Sequence, residues 1–247
     1  MDRFPVHGRG SRIRRLSLGV LLIGILLTAR PALSQSAGDL ELNVFVGGSW
    51  HSSNAYEVGP PQSVTPTQQE FTFNQGYRGG VRVNVANSGH WGEEFVYSFE
   101  SNEARFITVN PSAADLELGM QVHQFAINTL YYIDADESLT VRPFLSFGIG
   151  GTLYRPTDEA QAIARDPLRG NLGGTDNSSE LAFNYGIGLK AKISDRIGFR
   201  VDGKGFISRT PSFGFAREST DPNATVFPAG GAFHNAEASA GLIFYLN

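Results

Sequence analysis

The residues best suited to chemistry form two sets. The first is small: "WHSSN" at 50–54 places His51 two positions from Ser53, and His234 stands at the start of the last apolar stretch. A histidine within reach of a serine and oriented by an acid is the minimum for nucleophilic catalysis. The second set is a series of charges at alternate positions within apolar-alternating segments. It comprises Glu41, Arg78, Arg82, Glu94, Glu100, Arg142, Lys190, Lys192, Arg200, Asp202, Lys204 and Glu237. Charges of both signs facing a common interior must be paired and hydrogen-bonded, because an unpaired buried charge is prohibitively costly. The chain has no cysteine, which rules out a disulfide, a thiol nucleophile or a thiolate metal site. Phosphate loops, zinc spacings and dinucleotide fingerprints are absent as well, so no metal and no cofactor is expected.

Strands must position these residues. Period-two alternation recurs in 40–50, 71–86, 93–100, 120–133, 141–154, 181–193, 197–207 and 236–247, which makes eight segments. In the second, Phe71, Phe73, Tyr77, Val81, Val83 and Val85 share one side and Arg78, Arg82 and Asn84 the other. Across the tight turn at 87–90, Arg82 should face Glu94, and Arg78 should lie beside Ser98 and Glu100. Segment 120–133 is ambiguous, because apolar residues occupy both parities. A composition with 18 Phe and 29 Gly but only 2 Met also favours β-structure.

The connections between segments alternate in length. "NSGHW", "DADES" and "SDR" are short, whereas the regions near 52–70, 101–117, 155–180 and 208–235 are long and polar. Short turns on one rim and long loops on the other describe a transmembrane barrel, and about ten residues per strand suits a tilted crossing. In the third long region, "PTDEAQAIARDPL" (156–168) predicts a short helix with Thr157 as its cap. The N-terminus predicts export. Residues 1–15 are basic, "LSLGVLLIGILLTA" is too short to span a membrane comfortably, and Ala32 and Ser34 precede Gln35 as small residues at a cleavage site. Residues 1–34 therefore read as a signal peptide and 35–247 as the barrel. The mature chain has 14 basic and 23 acidic residues, a formal charge of −9, which gives no support to nucleic-acid binding.

The closing stretch "SAGLIFYL" resembles the C-terminal assembly signal of bacterial outer-membrane proteins, carried here by Ser239, Gly241, Phe244 and Leu246. "YYIDADESLTVRPFLSFGIGG" and "YGIGLKAKISDRIGFRVDGKG" resemble the late hairpins of small OmpA-like, OmpX-like and opacity-type barrels. The resemblance spans residues 39–247. It implies an all-β, eight-stranded, antiparallel up-and-down barrel in the bacterial outer membrane, with membrane lipids and the barrel-assembly machinery as partners.

The fold hosts adhesins, enzymes and structural proteins alike, so it does not assign an activity. An eight-stranded barrel has an interior just wide enough for side chains. The first expectation is therefore a non-enzymatic surface protein with a polar, plugged interior, whose outer loops meet a host, phage or envelope partner. Two alternatives come from other classes. One is a lipid A-modifying enzyme of the deacylase kind using His51, although that family places its His-x-Ser-Asn stretch in a later strand. The other is a narrow channel for small solutes.

Overall fold

Alternating β-branched and aromatic residues favour a pleated surface, and the alternating segments do form strands. In the computed structural model the described residues are 40–52, 56–58, 69–108, 116–165, 175–221, 226–227 and 230–246. The expected signal peptide, 1–34, and Ser53 lie outside them. The strands are β1 (Leu40–His51), β2 (Tyr56–Val58), β3 (Gln69–Phe73), β4 (Gly76–Ser88), β5 (Trp91–Thr108) and β6 (Leu116–Tyr132). They continue with β7 (Val141–Pro156), β8 (Ser178–Lys192), β9 (Ile197–Arg209) and β10 (Ala232–Leu246), and one helix, α1 (Asp158–Arg165), follows β7. No described helix is long and apolar enough to cross a membrane.

Eight strands close on themselves in the order β1-β4-β5-β6-β7-β8-β9-β10, with β10 returning to β1, and every pairing among them is antiparallel. Closure leaves none of the eight with an open edge along the barrel wall. The register also defines the shear. Cross-strand partners starting at Trp91 run through Tyr131, Leu145, Ile187, Gly203, Ala238, Gly48 and Tyr77, and return to β5 at Ser101, ten residues further on. Eight strands with that stagger tilt by about 40°. Such curvature crowds inward side chains. A methyl group at Gly148 or Gly150 would press into the backbone carbonyl of Ile127 or Phe125 on the neighbouring strand, so glycine is what permits the bend there.

The short connections gather at one rim. Gly89, at φ 55°, opens the two-residue turn between Ser88 and Trp91, a conformation that suits glycine in a tight hairpin. In the turn after β6, Asp136 accepts hydrogen bonds from the Ser138 hydroxyl (2.6 Å) and backbone N–H (2.9 Å), which hold its carboxyl below the usual range.

At the opposite rim the strands outrun their expected ends. β5 continues to Thr108, and β2 with β3 forms a hairpin laid against the outer part of β5. Stretches 52–70 and 101–117, expected as loops, thus carry strand, because the ladder continues wherever a neighbour offers backbone partners. Helix α1 lies where "PTDEAQAIARDPL" predicts it. The Thr157 hydroxyl caps it by accepting from the Ala160 N–H at 3.1 Å.

The expected continuous strand 71–86 is broken at Asn74–Gln75. From Phe73 to Arg78 is five residues, while their partners Ala104 and Glu100 are four apart. One extra residue reverses the facing of everything beyond it. Phe73, expected beside Tyr77 on the outer wall, is buried within the barrel, while Tyr77 is 88% exposed.

Candidate functional site

The inward positions of the eight strands converge on the lumen, and ten of the twelve expected charges meet there. Arg78 and Glu100 are direct cross-strand neighbours, as expected, and pair at 2.6 Å. Arg82 and Glu94 are not partners. The register sets Arg82 opposite Val96 and Glu94 opposite Asn84. Arg82 instead crosses the lumen to Glu237 (3.0 Å) and Asp202 (3.2 Å), and Glu94 holds Arg200 and Lys204, the latter at 2.9 Å. In a narrow lumen a long side chain reaches the far wall as readily as the adjacent strand. Hairpin spacing alone therefore misassigns the pair.

The contacts join into one path: Lys204, Glu94, Arg200, Asp202, Arg82, Glu237, Arg78, Glu100 and finally His51. Glu41 and Lys190 form a separate ion pair near the short-turn rim, where Lys190 Nζ also donates to the Tyr132 hydroxyl at 2.7 Å. The five acids and five cations of these two groups balance in sign. Arg142 joins neither group. Its guanidinium lies over the Tyr132 ring at 4.0 Å and donates to the Gly89 carbonyl at 2.8 Å. Lys192 is exposed at the rim beside Asp195, at 2.9 Å.

Neutral polar and aromatic residues complete the packing. Gln124 accepts from Arg78 (2.6 Å), Asn43 and Ser239 accept from Arg82 (2.9 and 2.8 Å), and Asn128 donates to Glu94 (2.9 Å). The Arg82 guanidinium lies 3.5 Å from the centre of the Phe45 ring, and that of Arg200 lies 4.5 Å from Phe144. Such charge-assisted bonds and cation–π contacts replace the water that the buried charges give up. Asn43, Phe45, Gln124 and Asn128 were not singled out from the sequence; Asn43 and Phe45 share inward parity with Glu41, whereas β6 carries no recognised charge that marks Gln124 and Asn128.

Toward the long-loop rim the interior turns apolar, so an aromatic layer lies above the expected polar plug. Phe73, Leu118, Met120, Val122, Tyr154, Phe213, Phe227 and Phe233 form one buried cluster with Ala160 and Ala164 of α1. This explains the double-sided hydrophobicity of 120–133. Leu118, Met120 and Val122 face the cluster, while Phe125 and Ile127 face outward. Phe213 adopts a positive φ of 51°, unusual for a bulky residue, and its ring sits 6.2 Å from Phe73 and 6.1 Å from Tyr154.

His51 joins the two layers. Its ring stacks with Phe73 at 5.0 Å and Phe233 at 5.9 Å, and its Nε2 lies 2.9 Å from Glu100, with both side chains fully enclosed. His234 does not accompany it. Asn235 is the residue opposite His51, and the His234 side chain is exposed on the other face of β10. The His51 ring is committed to an interior hydrogen bond with Glu100, away from the outer wall where a lipid substrate would lie. Among the described residues no group of three or more His, Cys, Asp or Glu is arranged to hold a metal.

The terminal-strand residues divide between the two faces. Ser239 points inward and donates to Glu237 at 3.0 Å, and Gly241 faces the lumen. Phe244 and Leu246 face outward.

A family model described as outer membrane protein beta-barrel domain matches residues 20–234. Among solved structures, the outer membrane protein OprG from Pseudomonas aeruginosa is similar, with a TM-score of 0.54 and 11% identity over 85% of this chain and 97% of that one. Neisserial surface protein A gives a TM-score of 0.42 at 10% identity, covering 83% and 97%. No curated protein sequence matches the chain.

Proposed function

Because the chain belongs to the outer-membrane β-barrel domain family, we propose that it is a non-enzymatic surface protein whose outer loops contact host, phage or envelope partners. It is an outer-membrane barrel with a plugged interior, and the plug is the observation that carries the reading. A charge-balanced ionic path fills the middle of the lumen, and an aromatic cluster fills its outer half. With the lumen occupied, the surface left for recognition is the long-loop rim, where binding residues generally concentrate.

The test compares cells lacking the gene with cells complemented by the full chain or by a chain shortened within 52–70. The shortened protein should fold, as judged by heat-modifiable gel migration, yet behave like the deletion in host-cell adhesion, phage adsorption and envelope-integrity assays. A shortened protein as competent as the full chain in each assay would overturn the reading.

Processing and assembly belong to the same proposal. Residues 1–34 direct export, and N-terminal sequencing of the outer-membrane form should begin near Gln35. Ser239, Gly241, Phe244 and Leu246 form the signal read by the assembly machinery. The buried position of His51 argues against a deacylase role. Lipid A mass spectra from cells with and without the gene should be identical, and a lost acyl chain would revive that role.

A further inference from the structure

The inner wall of β6, β7 and β8 carries polar groups that the ionic path leaves unused. Asn128, Gly148 and Asn184 are successive cross-strand partners in one row across these strands. The row toward the short-turn rim is Leu130, Ser146 and Gly186, and the row on the other side is Ala126, Gly150 and Ala182. Gly148 therefore leaves a gap between two asparagines whose strands lie about 10 Å apart. Ala126, Gly148, Gly150 and Gly186 face the lumen yet keep partial exposure. The wall is thus an alcove lined by small residues, beside a plug whose long charged side chains come from β1, β4, β5, β9 and β10.

Three buried side chains point polar atoms into this alcove. Asn184 is 1% exposed, and neither its Oδ1 nor its Nδ2 has a hydrogen-bond partner among the described residues, so neither orientation of the amide supplies one. Asn128 Nδ2 donates to Glu94 at 2.9 Å, which leaves its Oδ1 leaning over Gly148, also without a partner. Ser146 Oγ leans over Gly186 and is likewise unpartnered. Buried polar groups are satisfied by protein or by ordered water in nearly every case, and three in adjoining positions call for a shared ligand. Its chemistry follows from the lining. It donates to two carbonyl oxygens and accepts from an amide N–H. It is neutral, because the five acids and five cations of the interior already balance. Apolar clusters close the same wall on both sides: Leu130, Tyr132 and Phe144 toward the short-turn rim, Val122 and Tyr154 toward the long-loop rim.

We propose that Asn184, Asn128 and Ser146 form an enclosed hydration site, in which ordered water bridges β6, β7 and β8 beside the ionic path. Water is small, neutral and both donor and acceptor, and a buried molecule needs two to four polar partners, which these residues supply. The apolar clusters on either side hold it there longer than the tumbling time of the barrel. The plug is then part protein and part solvent: charges fill one side of the lumen and bound water the other. The inference is independent of what the loops bind.

The test uses the folded full-length barrel in detergent micelles, labelled with 15N-asparagine, and records NOESY and ROESY transfer from water to the side-chain amides. Asn184 and Asn128 should show water peaks of opposite sign in the two spectra, the mark of a molecule bound for longer than the tumbling time. Asn43 is the internal control. It is equally buried, but its Oδ1 accepts from Arg82 and its Nδ2 donates to the Leu242 carbonyl, so it should show no such peak. Asn184→Leu fills the alcove with an apolar side chain, and the peak at Asn128 should be lost. Ser146→Ala removes one partner of three, and the peak at Asn184 should persist. No peak at Asn184, or an equal peak at Asn43, would overturn the site, and this comparison needs no variant to fold. An unchanged peak at Asn128 in Asn184→Leu would overturn it too. So would complete loss at Asn184 in Ser146→Ala, which would reduce the signal to exchange relayed through the serine hydroxyl.

Discussion

Glu94 is fully enclosed and accepts from Arg200, Lys204 and Asn128. It is the acid on which the central layer depends. Removing one member of a buried ionic cluster costs about 3–5 kcal/mol, because its partners stay desolvated and unpaired. Glu94→Ala should therefore shift the urea midpoint of the barrel in lipid vesicles strongly downward. The partner of Arg82 can be read in the same assay. A double-mutant cycle between positions 82 and 237 should show coupling, and it should exceed the coupling between 82 and 94. A larger 82–94 value would restore the hairpin pair expected from the sequence. The path from Lys204 to His51 also makes single deletions non-additive, since each removal unbalances two neighbours.

For the strands, depth and closure decide the outcome of a change. Val46 on β1 is 69% exposed on the outer wall, opposite Ala240 and Gly79 and well away from either rim. Leu246 ends β10 at the short-turn rim, 50% exposed. An outward arginine costs about 2–4 kcal/mol at the membrane midplane and about 0–1 near an interface. Val46→Arg should then destabilise the barrel in urea titration far more than Leu246→Arg, and equal effects would mean the wall does not face hydrocarbon. Closure is tested by deleting residues 242–247. Residues 242–246 form five of the twelve pairs of the β1–β10 ladder, those at the short-turn rim, from Leu40–Leu246 to Val44–Leu242. Their loss exposes unpaired backbone to lipid, which offers no hydrogen bonds in return. The truncated chain should lack the folded, unboiled gel band, and a persistent band would show that β10 does not close the barrel.

The whole molecule has two stacked barriers, an ionic layer and an aromatic cap, joined at His51. Removing one should not open the lumen. In planar bilayers the wild type should show no sustained conductance, and Phe73→Ala with Phe213→Ala should stay closed because Arg78, Glu100 and Glu237 still fill the level below. Adding Arg78→Ala, which leaves a gap where three side chains converge, should produce discrete openings. Steady conductance in the wild type would instead favour the channel alternative.

Period-two alternation, eight segments and the alternation of short and long connections were enough to determine a closed antiparallel barrel from the amino-acid order alone. The reason is that a two-faced strand has few ways to bury one side and satisfy its edges. The inward set of charges was legible for the same reason, since parity is a local property. Three features were not. The partner of Arg82 depends on which residues stand across the lumen, so it is set by the shear of the whole barrel and not by the nearest turn. The side taken by Phe73 depends on one extra residue at Asn74–Gln75, and a single bulge inverts a parity that looks continuous in sequence. The aromatic cap needs α1, Phe213, Phe227 and five different strands to meet at one rim. That meeting is a matter of tertiary distance, which no run of residues encodes locally.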